Sequence, residues 1–90
     1  MLDIKTKDGL EVSVDENNIS DMRFIEAVRN VETSGTSYID MIELAIGKDG
    51  KEKLYEFVKE EDGRIPIKKV NEVFDEIMAI ATERNNKVKN

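Results

Sequence analysis

A chain of 90 residues makes one domain, and with no cysteine and no histidine it has no disulfides, no thiolate chemistry, no usual zinc site and no imidazole base. The net charge is -6 and the pI about 4.7, a poor match for the phosphates of nucleic acid or of an anionic membrane surface. The expectation is a soluble module suited to a reducing, intracellular compartment.

Leu2, Ile4 and Thr6 alternate with Asp3 and Lys5, and Leu10, Val12 and Val14 alternate with Glu11 and Ser13. Asp8-Gly9 between them is a hairpin signal, because both residues tolerate positive φ. Residues 2–6 and 10–14 are therefore predicted as a β-hairpin with one apolar face. A lone hairpin is marginal in water, so that face must pack on the helices. Residues 15–18 read as a polar connector. Ser20 is the predicted cap of the first helix, with Asp21 against the positive end of its dipole. Met22, Phe24, Ile25, Val28 and Val31 fall on its inward side with Ala27 at the edge; Arg23, Glu26, Arg29, Asn30 and Thr33 fall outward. This helix is predicted to end before Ser34-Gly35.

The stretch from Ser37 to Gly47 carries the densest apolar patterning. Its apolar residues cover roughly 220° of a helix circumference, leaving only Asp40 and Glu43 on a polar edge. A surface helix needs an apolar stripe of about 100° or a little more. This helix is thus either the centre of the core or half core and half docking face. Thr36 or Ser37 would cap it, and Gly47 would end it by a left-handed conformation. Residues 47–50 are predicted as a turn. Lys51 to about Glu61 follows as a short helix with Leu54, Phe57 and Val58 inward, Tyr55 at the rim and Gly63 as a stop. Pro66 suits the first turn of the last helix, which is predicted to run to about Arg84. Ile67, Val70, Val73, Phe74, Ile77, Met78, Ile80 and Ala81 form one arc of about 160° on it. That is wider than a small core needs, so Val73 and Ile80, one ridge at a spacing of seven residues, are expected to lie beyond the core. Residues 85–90 lack periodicity and read as a frayed, disordered tail. The fold class is α+β, mostly helical: an N-terminal hairpin followed by four helices around one small core, in a single domain over residues 1–84.

Motifs for chemistry are sparse. With Gly63 at the sixth place of a calcium loop, Val58 takes the first and Lys69 the twelfth, where carboxylates are required. The run Glu60-Glu61-Asp62 is a solvated polar helix end. Lys68 and Lys69 share their helix face with Glu72, Asp75 and Glu76, which would meet DNA phosphates with like charge. No glycine-rich phosphate loop is present, no apolar run reaches the roughly 20 residues that span a bilayer, and the first four residues lack the pattern of a signal peptide. The expectation is a protein that is no enzyme and holds no metal or cofactor. What remains is apolar surface for a partner. Tyr38, Met41 and Ile42 on the central helix and Val73, Met78 and Ile80 on the last are the candidate partner-binding residues. Methionine is a common core filler and recurs on adaptable binding surfaces.

The order of these elements resembles the tail assembly chaperones of long-tailed bacteriophages and prophages. The residues that carry the resemblance are Ser20-Asp21-Met22-Arg23-Phe24-Ile25-Glu26-Ala27-Val28, the helix end Leu44-Ala45-Ile46-Gly47, Lys53-Leu54-Tyr55-Glu56-Phe57-Val58 and Asp62-Gly63-Arg64-Ile65-Pro66-Ile67. The likeness spans about residues 10–84 and lies in pattern and order. It implies a non-enzymatic protein of the bacterial host cytoplasm, absent from the mature virion, which coats the tape-measure protein before the tail tube polymerises around it. It also implies a longer form made by ribosomal frameshifting, through which the tail tube protein becomes a further partner, and chain-like coating of this kind suggests weak, heterologous self-association. Val88-Lys89-Asn90 would encode the slippery site if its codons hold a run of A. The alternative is a small acidic regulatory module that binds one folded partner.

Overall fold

The computed structural model describes the backbone of residues 1–31 and 35–89 and the side chains of residues 1–31 and 36–84. Strands β1 (Leu2–Lys5) and β2 (Glu11–Val14) pair antiparallel, with Leu2 opposite Val14, Asp3 opposite Ser13, Ile4 opposite Val12 and Lys5 opposite Glu11. The alternation predicted for the hairpin is therefore realised. Ile4, Val12 and Val14 are buried on one face, while the Ser13 hydroxyl donates to Asp3 Oδ1 across the other at 2.8 Å. Thr6 and Leu10 leave the strands yet stay paired. The Thr6 amide donates to the Leu10 carbonyl at 2.9 Å, and the Leu10 amide donates to Thr6 Oγ1 at 3.0 Å. Gly9 supplies the positive φ of 100° that this loop requires.

Four helices follow, and they divide the chain differently from the sequence expectation. The predicted connector at 15–18 is largely a one-turn helix, α1 (Glu16–Ile19), because Asp15 Oδ1 accepts from the amides of Asn17 and Asn18. Ser20 ends α1 and does not cap the next helix. Asp21 does so, its Oδ1 accepting from the Arg23 amide at 2.8 Å. Helix α2 (Met22–Asn30) is then correct in place and wrong in facing. It buries Ala27 and half-buries Phe24 and Val31, whereas Met22, Ile25 and Val28 stay 65%, 54% and 47% exposed. The reason is its position. It packs against α3 and α1 and not over the hairpin, so only a narrow strip of its surface is covered. The predicted end at Thr33-Ser34 lies outside the described residues.

Helix α3 (Gly35–Val58) joins the two middle helices of the sequence prediction. It already begins at Gly35, so Thr36 and Ser37 lie within it and are not its cap. The expected four-residue turn shrinks to one residue, Gly47, with φ 75° and ψ 173°, a region open essentially to glycine alone. A helix end leaves its last four carbonyls without intrahelical donors. One carbonyl just before the break, that of Ala45, accepts the Asp15 amide at 2.9 Å and anchors the end of β2. Past the break, Leu54 and Val58 are buried and Phe57 points outward, against expectation. The helix stops at Val58. A tight loop then closes through Glu60 N–H to Arg64 O and Gly63 N–H to Glu60 O, at 2.8 and 2.9 Å. Pro66 immediately precedes α4 (Ile67–Lys89), and its carbonyl accepts the first helical bond, from Val70. The backbone of α4 continues helical past Arg84, where the sequence predicts a tail. No glycine or proline interrupts it there, and lengthening an existing helix is cheap.

The core lies between the hairpin and the two long helices. β1 lies on α4 and β2 on α3. Ile4, Leu10, Val12 and Val14 meet Ile42, Ala45, Ile46, Leu54 and Val58 of α3 and Val70, Phe74, Ile77 and Ala81 of α4. The hairpin is also tied to α4 by polar bonds: the Lys7 amide donates to Glu76 Oε2 at 2.7 Å, and Arg84 donates to the Asp3 carbonyl. The molecule measures 45 × 31 × 18 Å. Its short dimension is about the depth of one helix layer and one sheet layer.

Candidate partner-binding surfaces

The six residues singled out from the sequence fall along the flank of the core. Tyr38 is half-buried, and its hydroxyl donates to Asn71 Oδ1, joining the start of α3 to α4. Burial raises the Tyr38 phenol above its ordinary value, with Asp75 and Tyr55 nearby adding to the effect. Met41, Val73, Met78 and Ile80 are likewise half-buried against the core. Ile42 is fully buried beneath them. It belongs to the buried cluster shared by the hairpin, α3 and α4, so in this fold no partner can reach it, and its place among the docking residues is corrected. The other five present edges of side chains and not whole faces.

Beyond Met1 and Ile39, the exposed large apolar side chains among the described residues fall into two groups elsewhere. Met22, Ile25 and Val28 form one ridge along α2, at spacings of three residues. Phe57, Ile65 and Ile67 surround the loop between α3 and α4, Ile67 being 73% exposed. The Lys69–Glu60 ion pair, at 3.7 Å, holds the start of α4 against that loop. Sequence reasoning missed both groups. A signal for the first was available: the apolar arc of α2 is wider than one helix can cover with a single neighbour. A signal for the second was Ile65-Pro66-Ile67, two large aliphatic residues flanking a proline in a connection.

A groove of about 640 Å³ separates α2 from the first half of α3. Ala27 and Leu44 supply its apolar lining, and Arg23, Glu26, Asp40, Glu43 and Lys48 its charged lining. Both signs are present, so it offers no field for one kind of ion. Glu43 is engaged with Lys51 at 2.5 Å, and that hydrogen bond holds its carboxyl below the ordinary value. Glu43 is therefore ionised near neutrality, which suits a strap and not a proton donor. Lys51 also lies 5.9 Å from the centre of the Tyr55 ring, within cation–π range.

Of the acidic run at 60–62, Glu60 pairs with Lys69 and Asp62 with Arg64. Among the described residues no group of three or more Asp and Glu side chains could hold a metal ion. No helix of the described residues is long and apolar enough to cross a membrane. Comparison of the chain with protein-family models, with curated proteins and with solved structures gives no match.

Proposed function

We propose that the chain is a non-enzymatic tail assembly chaperone of a long-tailed phage or prophage. In this reading it binds the helical tape-measure protein in the host cytoplasm, keeps it soluble and departs before the virion is complete. The observation that carries the proposal is the pairing of unburied apolar side chains, on α2 and around the α3–α4 loop, with an acidic body of net charge -6. Exposed apolar groups can take up the apolar stripe of a client helix, and like charge between copies keeps a coated client in solution. The resemblance in element order and in the residues around Gly47 and Gly63 supports the same reading.

Two experiments test it. The nucleotides from the codon of Asn85 onward should contain a slippery run, an overlapping second frame and then a very long helix-rich frame. A phage gene cluster lacking only the slippery run would remove the longer form and leave the chaperone. An isolated gene would count against both. Co-expression with a fragment of the long protein should then keep that fragment soluble with several copies of this chain bound to each. A complex of fixed one-to-one stoichiometry would favour the regulatory module instead.

A further inference from the structure

We propose that the outer edge of β2 takes an added strand, an extended acidic segment of another protein whose carboxylate enters the groove between β2 and the break in α3. The strand register decides which edge groups are open. In an antiparallel pair, successive residues direct their amides and carbonyls to opposite edges. Thr6 bonds to Leu10 across the hairpin, Ile4 stands opposite Val12 and Leu2 opposite Val14. Even-numbered residues therefore point these groups at the other strand, and odd-numbered residues point them outward. Two bonds agree with this. On β1 the outward carbonyl of Asp3 accepts from Arg84, and just past β2 the outward amide of Asp15 donates to the Ala45 carbonyl. Among the described residues no hydrogen bond engages the outward amides and carbonyls of Glu11 and Ser13. The one bond of Ser13 outside the hairpin ladder is made by its side chain.

Those four groups recur at every second residue. An extended backbone matches that spacing, whereas a helix satisfies its own groups internally. Space for it is present: a groove of about 380 Å³ runs from Val12 and Ser13 to Ile46, Gly47 and Gly50. Gly47 puts no side chain into it, which lets a backbone come close. An added residue level with Val12 directs its side chain to the same face as Val12, into that groove. There it meets Lys48 and Lys53, both exposed. Neither is ion-paired among the described residues, and Lys48 acts on Glu43 only through its field. Asp49 is the opposing charge in the lining. The first turn of the second half of α3 lines the groove as well, and the positive end of its dipole favours an anion. Lys53 also lines the outer face of the hairpin beside Glu11, so it spans the edge. A lysine there either guards the edge or engages what docks on it. The second cation beside it and the room beneath it favour docking.

NMR of the full chain tests this with a probe peptide of about six residues, acetylated and amidated, in which threonine alternates with glutamate. It should shift the amides of Glu11, Ser13, Gly47 and Gly50, and slow deuterium exchange at Glu11 and Ser13 by about fivefold or more. N-methylation of the threonine amides, which face the edge, should abolish binding. The peptide with lysine in place of glutamate should bind about five- to tenfold more weakly, and so should the glutamate peptide to the chain carrying both Lys48→Glu and Lys53→Glu. The net charge of -6 favours the lysine peptide at long range, so a preference for glutamate reports the groove. Both lysines are exposed, and far-UV circular dichroism verifies that the variant is folded. Unmoved Glu11 and Ser13 amides at about 1 mM peptide overturn the proposal and leave Lys48 and Lys53 as guards of the edge. Equal binding of the N-methylated peptide overturns strand addition. Equal binding of the lysine peptide, or undiminished binding by the double variant, overturns the acidic occupant. If the same amides shift with protein concentration alone, the occupant is a second copy and the proposal fails. The probe is extended and no tape-measure helix is present, so these outcomes are independent of the co-expression experiment.

Discussion

Single residues decide the geometry around the middle of the chain, and glycine does so at two positions for different reasons. At Gly47 the backbone occupies φ 75°, and no atom crowds the place a Cβ would take. Gly47→Ala should therefore cost about 1–3 kcal/mol through backbone strain alone, read from the urea midpoint. At Gly50 the backbone is helical and the space is missing. An added Cβ would lie 2.8 Å from Ile46 Cβ, a side-chain branch point inside the core that cannot swing away. Gly50→Ala should cost about 1–3 kcal/mol by overpacking, despite the better helix propensity of alanine. Burial separates two isoleucines that the patterning alone treats alike. Ile42→Ala should cost about 2–5 kcal/mol, as expected for a fully buried residue. Ile25→Gln should stay within about 0.5 kcal/mol of the parent. If Ile25→Gln destabilised as much as Ile42→Ala, the assignment of the α2 ridge to solvent would be wrong.

Among the elements, α3 is two half-helices held as one. The strap is Lys51 Nζ on Glu43 Oε2 at 2.5 Å, reaching across the break at Gly47. The hydrogen bond from Lys51, foremost among the causes, lowers the Glu43 pKa from 4.5, and the same bond raises that of Lys51 from 10.5. An acid with a depressed folded pKa stabilises fully above its unfolded value and loses that as pH falls through the folded one. A base with a raised folded pKa stabilises fully below its unfolded value and loses that as pH rises through the folded one. The strap is thus complete between pH 4.5 and 10.5. The difference in urea midpoint between the parent and Lys51→Met should be largest in that window and narrow on both sides. A difference independent of pH would assign the role of Lys51 to its packing on Tyr55. Helix α2 sits at the other extreme, with Ala27 its one buried residue. Its amides should exchange with deuterium faster than those around Ile42, Leu54 and Phe74, since few apolar contacts oppose local opening.

For the whole molecule, the core draws on the hairpin, α3 and α4 together, and no two of these enclose it alone. The polar ties from Lys7 to Glu76 and from Arg84 to Asp3 join the ends of the chain to each other. Unfolding should accordingly be one cooperative transition. Tyrosine emission from Tyr38 and Tyr55 and the far-UV signal should give one midpoint. Separate midpoints would mean that the hairpin leaves the helices before they melt. The acidic charge acts at this scale too. It opposes close approach of copies, and raising ionic strength screens that repulsion.

Amino-acid patterning alone determined the hairpin, its buried face, the place of Gly47 and the long amphipathic helix. Each of these is local: strand alternation, a positive-φ residue and a 3.6-residue period act within a few residues of chain. The same kind of reasoning explains the caps it missed, since Asp15 and Asp21 are as competent as Ser20 and only the backbone path selects between them. Tertiary structure decided which apolar residues are covered. Met22, Ile25 and Val28 are as hydrophobic as the residues of the core, yet α2 meets one long helix and little else. Ile42 reads as a docking residue until the hairpin and the long helices close into one core around it. Periodicity identifies a face, and exposure depends on how many neighbours the fold brings to that face, which no local pattern records.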